Sequence, residues 1–193
     1  DFPFGIVQLA NFLAEDEVPK DDPWPHLRDA QLHTFTTVPN TGLAVLIDLG
    51  EKDDIHPRNK QGVGRRLSRW ALGDVYGRDI PALGPIFVEC VFDGGKAVCS
   101  FEHVAKGLAV REGGSLSDFA MAGEDRVWHW AEARITSPRT VEVSCRQVRR
   151  PVAVRYAWSN NPGNPNLVNS ADVPASPFRT DDWEIGTSKS PQD

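Results

Sequence analysis

The spacing of apolar residues changes near residue 81, and this change is the strongest constraint on the fold. Apolar runs alternate with helical patterns up to Tyr76, whereas short runs with a period of two follow Pro85. Pro81-Ala82-Leu83-Gly84-Pro85 lies between them, and proline and glycine tend to end regular structure. The sequence therefore predicts an α/β segment, residues 1–80, followed by a β segment, residues 81–160.

The α/β segment is predicted to contain two strands and two helices, a pattern typical of a parallel sheet with helices on its faces. Because two strands do not make a stable sheet, we expect further strands from sequence outside this chain. A strand-like run so near Asp1 also predicts an excerpt or a cleaved piece. The predicted elements are a strand at Phe4–Leu9, a helix starting at Pro23 behind Asp21 and Asp22, a strand at Leu43–Ile47 and a helix at Arg58–Tyr76.

The β segment is predicted to form an antiparallel β-sandwich, because its strands are short and glycine turns separate them. Asp93-Gly94-Gly95 predicts a hairpin between Ile86–Phe92 and Lys96–Phe101. Residues 161–193 are predicted to form an extended tail on the body of the protein, disordered at Ser188–Asp193. Further strands are predicted at Leu108–Arg111, Phe119–Met121, Val127–Trp130, Ala133–Ile135, Thr140–Cys145 and Val152–Trp158.

The loop Gly50–Pro57, hereafter the His56 loop, is the best candidate for chemistry. It follows a predicted parallel strand, and ligands in open α/β sheets bind at the carboxyl ends of strands. Asp53 and Asp54 stand three and two positions before His56, which suggests acid and base chemistry. A solvated, aspartate-rich loop with an unrelated histidine would have the same pattern, because this motif is short.

Several stretches, in one order along nearly the whole chain, resemble the carboxyl-terminal part of the sialate O-acetylesterase family, within the SGNH/GDSL hydrolase superfamily. The block from Asp54 to Gln61, DIHPRNKQ, is the most specific of them. The others are Val7–Phe12 (VQLANF), Leu27–Gln31 (LRDAQ), Asn40–Gly42 with Asp48–Gly50, Gly64–Leu67 (GRRL), Val154–Trp158 (VRYAW) and Pro174–Trp183 (PASPFRTDDW).

The resemblance implies a serine hydrolase that removes O-acetyl groups from sugars on an SGNH-type α/β/α sandwich, part of which is the α/β segment. It implies that His56 is the catalytic base. The superfamily pattern ranks Asp53 first as the acid, and the better-matching stretch that contains Asp54 ranks it second. No cofactor is implied, and the location implied is extracytoplasmic, either secreted or periplasmic.

The chain departs from the family pattern because it lacks the block that carries the nucleophile. It contains neither a GDS-like sequence nor a G-x-S-x-G sequence, and Ser115 in Gly113-Gly114-Ser115 is expected to form a polar turn. We therefore expect the serine to come from a missing N-terminal segment of the same protein. The expected substrate is an acetylated carbohydrate, and this chain alone is expected to be inactive.

Substrate-binding residues are not identified by the sequence, although Arg28 and Trp158 are candidates. Arg28 could hold a carboxylated sugar such as sialic acid, or a salt bridge could anchor its helix. Trp128, Trp130 and Trp158 could stack on a sugar or pack in the core. The alternative function is a non-catalytic carbohydrate-binding or scaffolding fragment whose His56 loop is vestigial.

Charge and hydropathy exclude two classes of partner. The net charge is −6 and there is no basic tract, which disfavours nucleic-acid binding. No apolar run approaches the roughly 20 residues that span a bilayer, so no membrane partner is expected.

Metal binding is also disfavoured. Asp53, Asp54 and His56 are a poor ligand set because adjacent aspartates seldom converge on one ion, and His26 and His33 lack a third ligand. The three cysteines, an odd number without a CxxC pair, do not form a zinc-site pattern. Cys99 and Cys145 are expected to be core residues, and the sequence leaves open whether two of the three form a disulfide. The three cysteines are Cys90, Cys99 and Cys145.

Overall fold

The computed structural model describes residues 2–187 and 189–190 of the chain, which form two helices and mostly antiparallel strands. The α/β segment contains β1 (Phe4–Val7), α1 (Pro23–Thr37), β2 (Thr41–Ala44) and α2 (Lys60–Trp70), which a π-helical turn, Ala71–Val75, continues. The strands that follow are β3 (Ile86–Asp93), β4 (Lys96–Glu102), β5 (Leu108–Val110), β6 (Phe119–Ala122), β7 (Trp128–Trp130), β8 (Glu132–Ser137), β9 (Thr140–Ser144), β10 (Ala153–Tyr156), β11 (Leu167–Asn169) and β12 (Phe178–Arg179).

The first two strands pair in parallel, as predicted, from Phe4 opposite Thr41 to Val7 opposite Ala44. The prediction that the second strand covers Leu43–Ile47 was wrong in its bounds. The strand ends at Ala44, where its pairing with β1 ends, and a turn covers Ile47–Leu49, although the side chain of Ile47 is fully buried. Burial rather than strand pairing explains this apolar run.

Both helices begin close to the predicted positions. Asp22 precedes α1, and Pro23 is its first residue, where a missing N–H costs nothing. The second helix begins at Lys60, not Arg58, because the Asn59 side chain accepts a hydrogen bond from the Gly62 N–H and caps the helix. In the described part of the chain, neither helix is long and apolar enough to cross a membrane.

The β segment forms antiparallel sheets, as predicted. One has the strand order β3-β4-β9-β8 and another has the order β12-β10-β6-β7. The predicted hairpin joins β3 to β4 through Gly94 and Gly95, whose φ angles of 53° and 83° are those that a two-residue hairpin turn favours. Alternation in β4 buries Ala97, Cys99 and Phe101.

The predicted tail, residues 161–193, forms two of the strands and is not only an extended segment on the surface. β11 pairs with β5, and β12 pairs with β10. Leu167 and Phe178 of these strands lie in the core. Of the segment predicted to be disordered, Ser188 and residues 191–193 lie outside the described residues, whereas backbone hydrogen bonds join Lys189 to Arg126 and Trp128.

One apolar cluster contains residues of all three predicted segments, so these segments share a core. Around it the rings of Phe87 and Phe178 stack at 4.3 Å between centroids. The buried members of the cluster include Leu43, Val45, Ile47, Ala97, Phe101, Phe119, Met121, Tyr156, Leu167 and Phe178.

The indole of Trp70 covers the β1–β2 pair and requires glycine beneath it. A Cβ on Gly42 would lie 2.0 Å from Trp70 Cε2, and Trp70 is itself buried. We expect Gly42→Ala to lower the free energy of unfolding by about 3 kcal/mol, because the ring must be displaced from a packed site. Urea denaturation measures this change.

Gly64→Ala is the matched control, because no atom lies within 4 Å of a Cβ built on Gly64 in α2. Alanine favours a helix, so this variant should be stabilised by about 0.5–1 kcal/mol. Equal destabilisation of both variants would contradict the packing role of Trp70.

Candidate functional site

The His56 loop is held against the segment that leaves β1. The backbone N–H of Gly50 donates to Asn11 Oδ1 at 2.6 Å, and the Leu13 N–H donates to the Lys52 carbonyl at 3.1 Å. A Cβ on Gly50 would lie 1.8 Å from the Asn11 carbonyl oxygen, so only glycine permits this approach. The segments that follow β1 and β2 therefore meet at the carboxyl edge of the parallel pair, where the sequence predicted a site.

Asp48 fixes the entry to the loop. Its carboxylate accepts hydrogen bonds from Arg66 of α2 at 2.5 and 2.6 Å and also from Arg111. Burial would raise the pKa of Asp48, but the hydrogen bonds and charges of Arg66 and Arg111 outweigh it and hold the pKa below its usual value. The carboxylate therefore ties the loop to α2 and to the end of β5.

His56 projects from this anchored base into solvent, with 84% of its side chain exposed. Its Nδ1 lies 3.3 Å from Asp54 Oδ1, and its backbone N–H donates to the same oxygen at 2.9 Å. That backbone hydrogen bond lowers the pKa of Asp54. The arrangement places a carboxylate against one nitrogen of the imidazole and leaves the other nitrogen directed away from Asp54.

Asp53 does not share this arrangement. Its side chain is 86% exposed, and its carboxylate is 4.0 Å from Lys52 Nζ. Of the two candidate acids, Asp54 is thus the one that contacts His56. Within residues 2–187 and 189–190, no group of three histidine, cysteine, aspartate or glutamate side chains has the geometry to hold a metal ion.

Ser115 is exposed and follows β5 and two glycines with positive φ angles. Its carbonyl accepts a hydrogen bond from the Asn166 side chain at 2.9 Å. No hydroxyl in the described part of the chain hydrogen-bonds to the His56 ring. Ser115 is therefore not brought to His56.

The structure corrects the suggestion that Arg28 binds substrate or forms a salt bridge. Arg28 is fully buried and its guanidinium donates to four backbone carbonyls, at 2.6 to 2.9 Å. Burial lowers its pKa to about 10, so it stays charged at neutral pH. It joins α1 to the exit of β1 and to the chain after β10. The carbonyls belong to Leu9, Ala10, Ser159 and Asn160.

Trp158 is likewise unavailable to a ligand, because it is buried beside a second internal cation, Arg155. The Arg155 guanidinium lies 4.3 Å from the ring of Trp128 and 5.1 Å from that of Trp158. It pairs with both oxygens of Asp181 at 2.9 Å and with Asp21 at 3.1 Å. Arg155 and Asp181 belong to the VRYAW and PASPFRTDDW motifs, but the sequence does not predict their contact, because they are 26 residues apart.

A polar groove begins at the His56 loop. One part, of about 450 Å³, is lined by Lys52, Glu15 and Asn161, and a second, of about 330 Å³, contains Trp130. The two parts share Glu15, Asn161 and Gly163. Trp130 is 40% exposed, and its indole N–H donates to the Glu17 carbonyl at 3.0 Å. The groove thus combines hydrogen-bonding groups with an aromatic ring.

No protein-family model matches the chain. It is 30% identical over 92% of its length to a sialate O-acetylesterase of Pongo abelii and 28% identical to that of Homo sapiens, and it spans 36% of the length of each. A solved carbohydrate acetylesterase from Xanthomonas citri superposes with a TM-score of 0.87 at 46% identity. That match covers 94% of this chain and 41% of the other.

The ion pairs of Asp48 generate a prediction for stability. Asp48→Asn should lower the free energy of unfolding at pH 7 by about 3–5 kcal/mol, because the partly buried Arg66 loses its anion and Arg111 keeps only Asp172. The pKa of Asp48 is depressed in the folded state, so its contribution is present above the unfolded-state pKa and is lost as pH falls through the folded-state pKa. Urea denaturation across the acid range measures it.

The difference between wild type and Asp48→Asn should shrink below the ordinary pKa of an aspartate. Asp53→Asn, at an exposed position of the same loop, should match wild type throughout. A difference that persists unchanged into strong acid would show that the amide perturbs packing rather than charge.

Proposed function

This chain belongs to the sialate O-acetylesterase family, and from that membership we propose that it bears the acid and base of a serine carbohydrate O-acetylesterase. The enzyme would hydrolyse acetyl esters on sugars once a separate segment supplies the serine. The relatives that span the chain are named as esterases. The single observation that carries the proposal is the His56–Asp54 contact on an anchored loop.

The proposed mechanism follows from the two nitrogens of His56. The carboxylate at Nδ1 selects the tautomer whose Nε2 accepts a proton. Nε2 takes the proton of a serine hydroxyl as that oxygen attacks the acetyl carbonyl, and the carboxylate stabilises the imidazolium. As the bond from the acetyl carbon to the sugar oxygen breaks, the imidazolium protonates that oxygen, which leaves as the sugar hydroxyl. Water repeats the sequence and releases acetate.

The origin of the serine in another segment is supported by several observations. The chain spans only 36% of the curated relatives, and it lacks both nucleophile motifs. The β1–β2 pair alone is too small to be a stable sheet, and Phe4 and Val7 of β1 are exposed. We propose that the segment with the serine adds strands to this pair and completes the SGNH-type sandwich.

We propose that the sugar lies in the groove between the His56 loop and Trp130. Sugar sites combine precisely placed polar groups with apolar surface, and the groove has both. The same groove also supports the second candidate function, non-catalytic carbohydrate binding, because it does not require a serine. Trp128 and Trp158 are buried, which leaves Trp130 as the tryptophan of that set able to stack on a ligand.

His56→Ala in the full-length protein should lower kcat for an acetyl ester by at least about 10³-fold, because it removes the general base. The side chain is largely exposed, so the fold and the melting temperature should not change. His33→Ala, an exposed histidine on α1, is the control. Hydrolysis by this chain alone that Ser115→Ala abolishes would contradict the proposed source of the serine.

The two acids can be distinguished in the same assay. If the observed contact is the catalytic one, Asp54→Asn should lower kcat by about 10²–10⁴-fold and Asp53→Asn should have the smaller effect. The reverse order would assign the role to Asp53, as the superfamily pattern ranks it. Hydrolysis of p-nitrophenyl acetate measures both variants without any contribution from sugar binding.

Trp130→Ala should raise KM for an acetylated xylo-oligosaccharide by about 3–10-fold, as expected for one lost aromatic contact. It should leave hydrolysis of p-nitrophenyl acetate unchanged, and Trp130→Phe should restore most of the affinity. Full-length protein that lacks esterase activity yet binds the oligosaccharide through Trp130 would favour the non-catalytic function.

A further inference from the structure

Two thiols face one another on the β3–β4 hairpin, away from the His56 loop in sequence. Cys90 of β3 is directly opposite Cys99 of β4, and their Sγ atoms are 3.1 Å apart. Both are free cysteines. The ladder is regular from Glu89 to Asp93, because its irregularity lies before Glu89. The backbone therefore holds this pair in a fixed register.

The geometry suits a covalent bond between these sulfurs. Directly opposed residues of antiparallel strands have Cα atoms about 4.5–5.5 Å apart, which lies inside the 4.4–6.8 Å found for disulfides. Closing the gap between the Sγ atoms needs about 1 Å of movement, which rotation of the two side chains supplies. No strand has to shift.

We propose that Cys90 and Cys99 are a site of oxidative modification at which a cross-strand disulfide forms by exchange with a small-molecule disulfide such as oxidised glutathione. The proposal does not depend on esterase activity. Sequence alone left one disulfide open among three cysteines, and the strand register selects this pair.

The exchange has two balanced steps. The thiolate of Cys90 attacks one sulfur of oxidised glutathione, which forms a mixed disulfide and releases one glutathione thiolate. The thiolate of Cys99 then attacks the Cys90 sulfur, forms the internal disulfide and releases the second glutathione. The two thiol protons pass to solvent or to the released thiolates, and the two electrons reside on the two glutathione molecules.

The surroundings assign the order of the steps. Cys90 is partly exposed, whereas Cys99 is fully buried, so the oxidant meets Cys90 first. In the reduced protein the hydrogen bond with Cys90 and burial both raise the pKa of the Cys99 thiol. Burial remains after the first step, so the second step is the slower one at neutral pH. Once Cys90 carries glutathione, the hydrogen bond between the two thiols is lost. The Cys99 sulfur then lies beside the Cys90 sulfur that it attacks.

Cys145 is not a competitor for either partner. The residue opposite Cys99 on its other side is Val141 of β9, and Cys145 follows the end of that strand. Its Sγ lies 3.1 Å from Gln147 Oε1. The register therefore predicts a single bond between Cys90 and Cys99 and a free thiol at Cys145.

The test uses the purified protein, first reduced and then equilibrated with oxidised glutathione at pH 8. After unfolding, free thiols are alkylated, and peptides are mapped by mass spectrometry without reduction. The expected result is one linked pair of peptides containing Cys90 and Cys99, lighter than the separate peptides by two hydrogen atoms, with Cys145 alkylated. Free Cys90 and Cys99, glutathione retained on Cys90, or a bond to Cys145 would each overturn the proposal.

Thermal unfolding supplies a second measurement. The oxidised wild type should melt several degrees above the reduced protein, because the cross-link restricts the unfolded chain. The same rise should occur in Cys145→Ser and be absent in Cys90→Ser. An equal rise in all three proteins would mean that the oxidant acts elsewhere.

Discussion

Internal hydrogen bonding of buried guanidinium groups is the interaction on which the rest of this structure depends. Arg28 satisfies carbonyls from two segments 150 residues apart, and Arg155 joins β10 to residues from both ends of the chain. Buried ion pairs contribute little net free energy relative to apolar packing, but the loss of one partner is costly. We expect their main effect to be on specificity, because each donor is satisfied in a single arrangement of the surrounding segments.

This scaffold explains how an exposed histidine can have a defined position. Asp48 holds the start of the His56 loop, Asn11 holds Gly50, and the capped end of α2 follows. Between these anchors the side chains of Lys52, Asp53, Ile55 and His56 are exposed. Functional side chains on loops require such rigid bases, because small displacements greatly reduce catalytic efficiency. The acetylesterase proposal therefore relies on the fixed base as much as on the imidazole itself.

The features predicted correctly from the sequence are those with local causes. Asp93-Gly94-Gly95 specifies its hairpin, Pro23 marks the start of α1, and the period of two in β4 gives its buried face. The features missed depend on distant partners. Val45–Ile47 was predicted as part of a strand because its apolar residues have the pattern of a buried strand. The tail was predicted to lie on the surface because most of its residues are polar, although Asn169 and Phe178 are buried. The position of the His56 loop was predicted, whereas the pairing of Asp54 rather than Asp53 with His56 required coordinates.

In the proposed enzyme, the exposure of His56 would link assembly to activity. Water around the ring weakens its electrostatic interaction with Asp54, since attraction between charges falls as the dielectric constant rises. A segment that covers the loop would exclude that water and strengthen the interaction at the same moment as it delivers a hydroxyl. In the proposed enzyme, docking of that segment would thus prevent unspecific ester hydrolysis by an incomplete protein. His56 would become an effective base only after the segment has covered the loop.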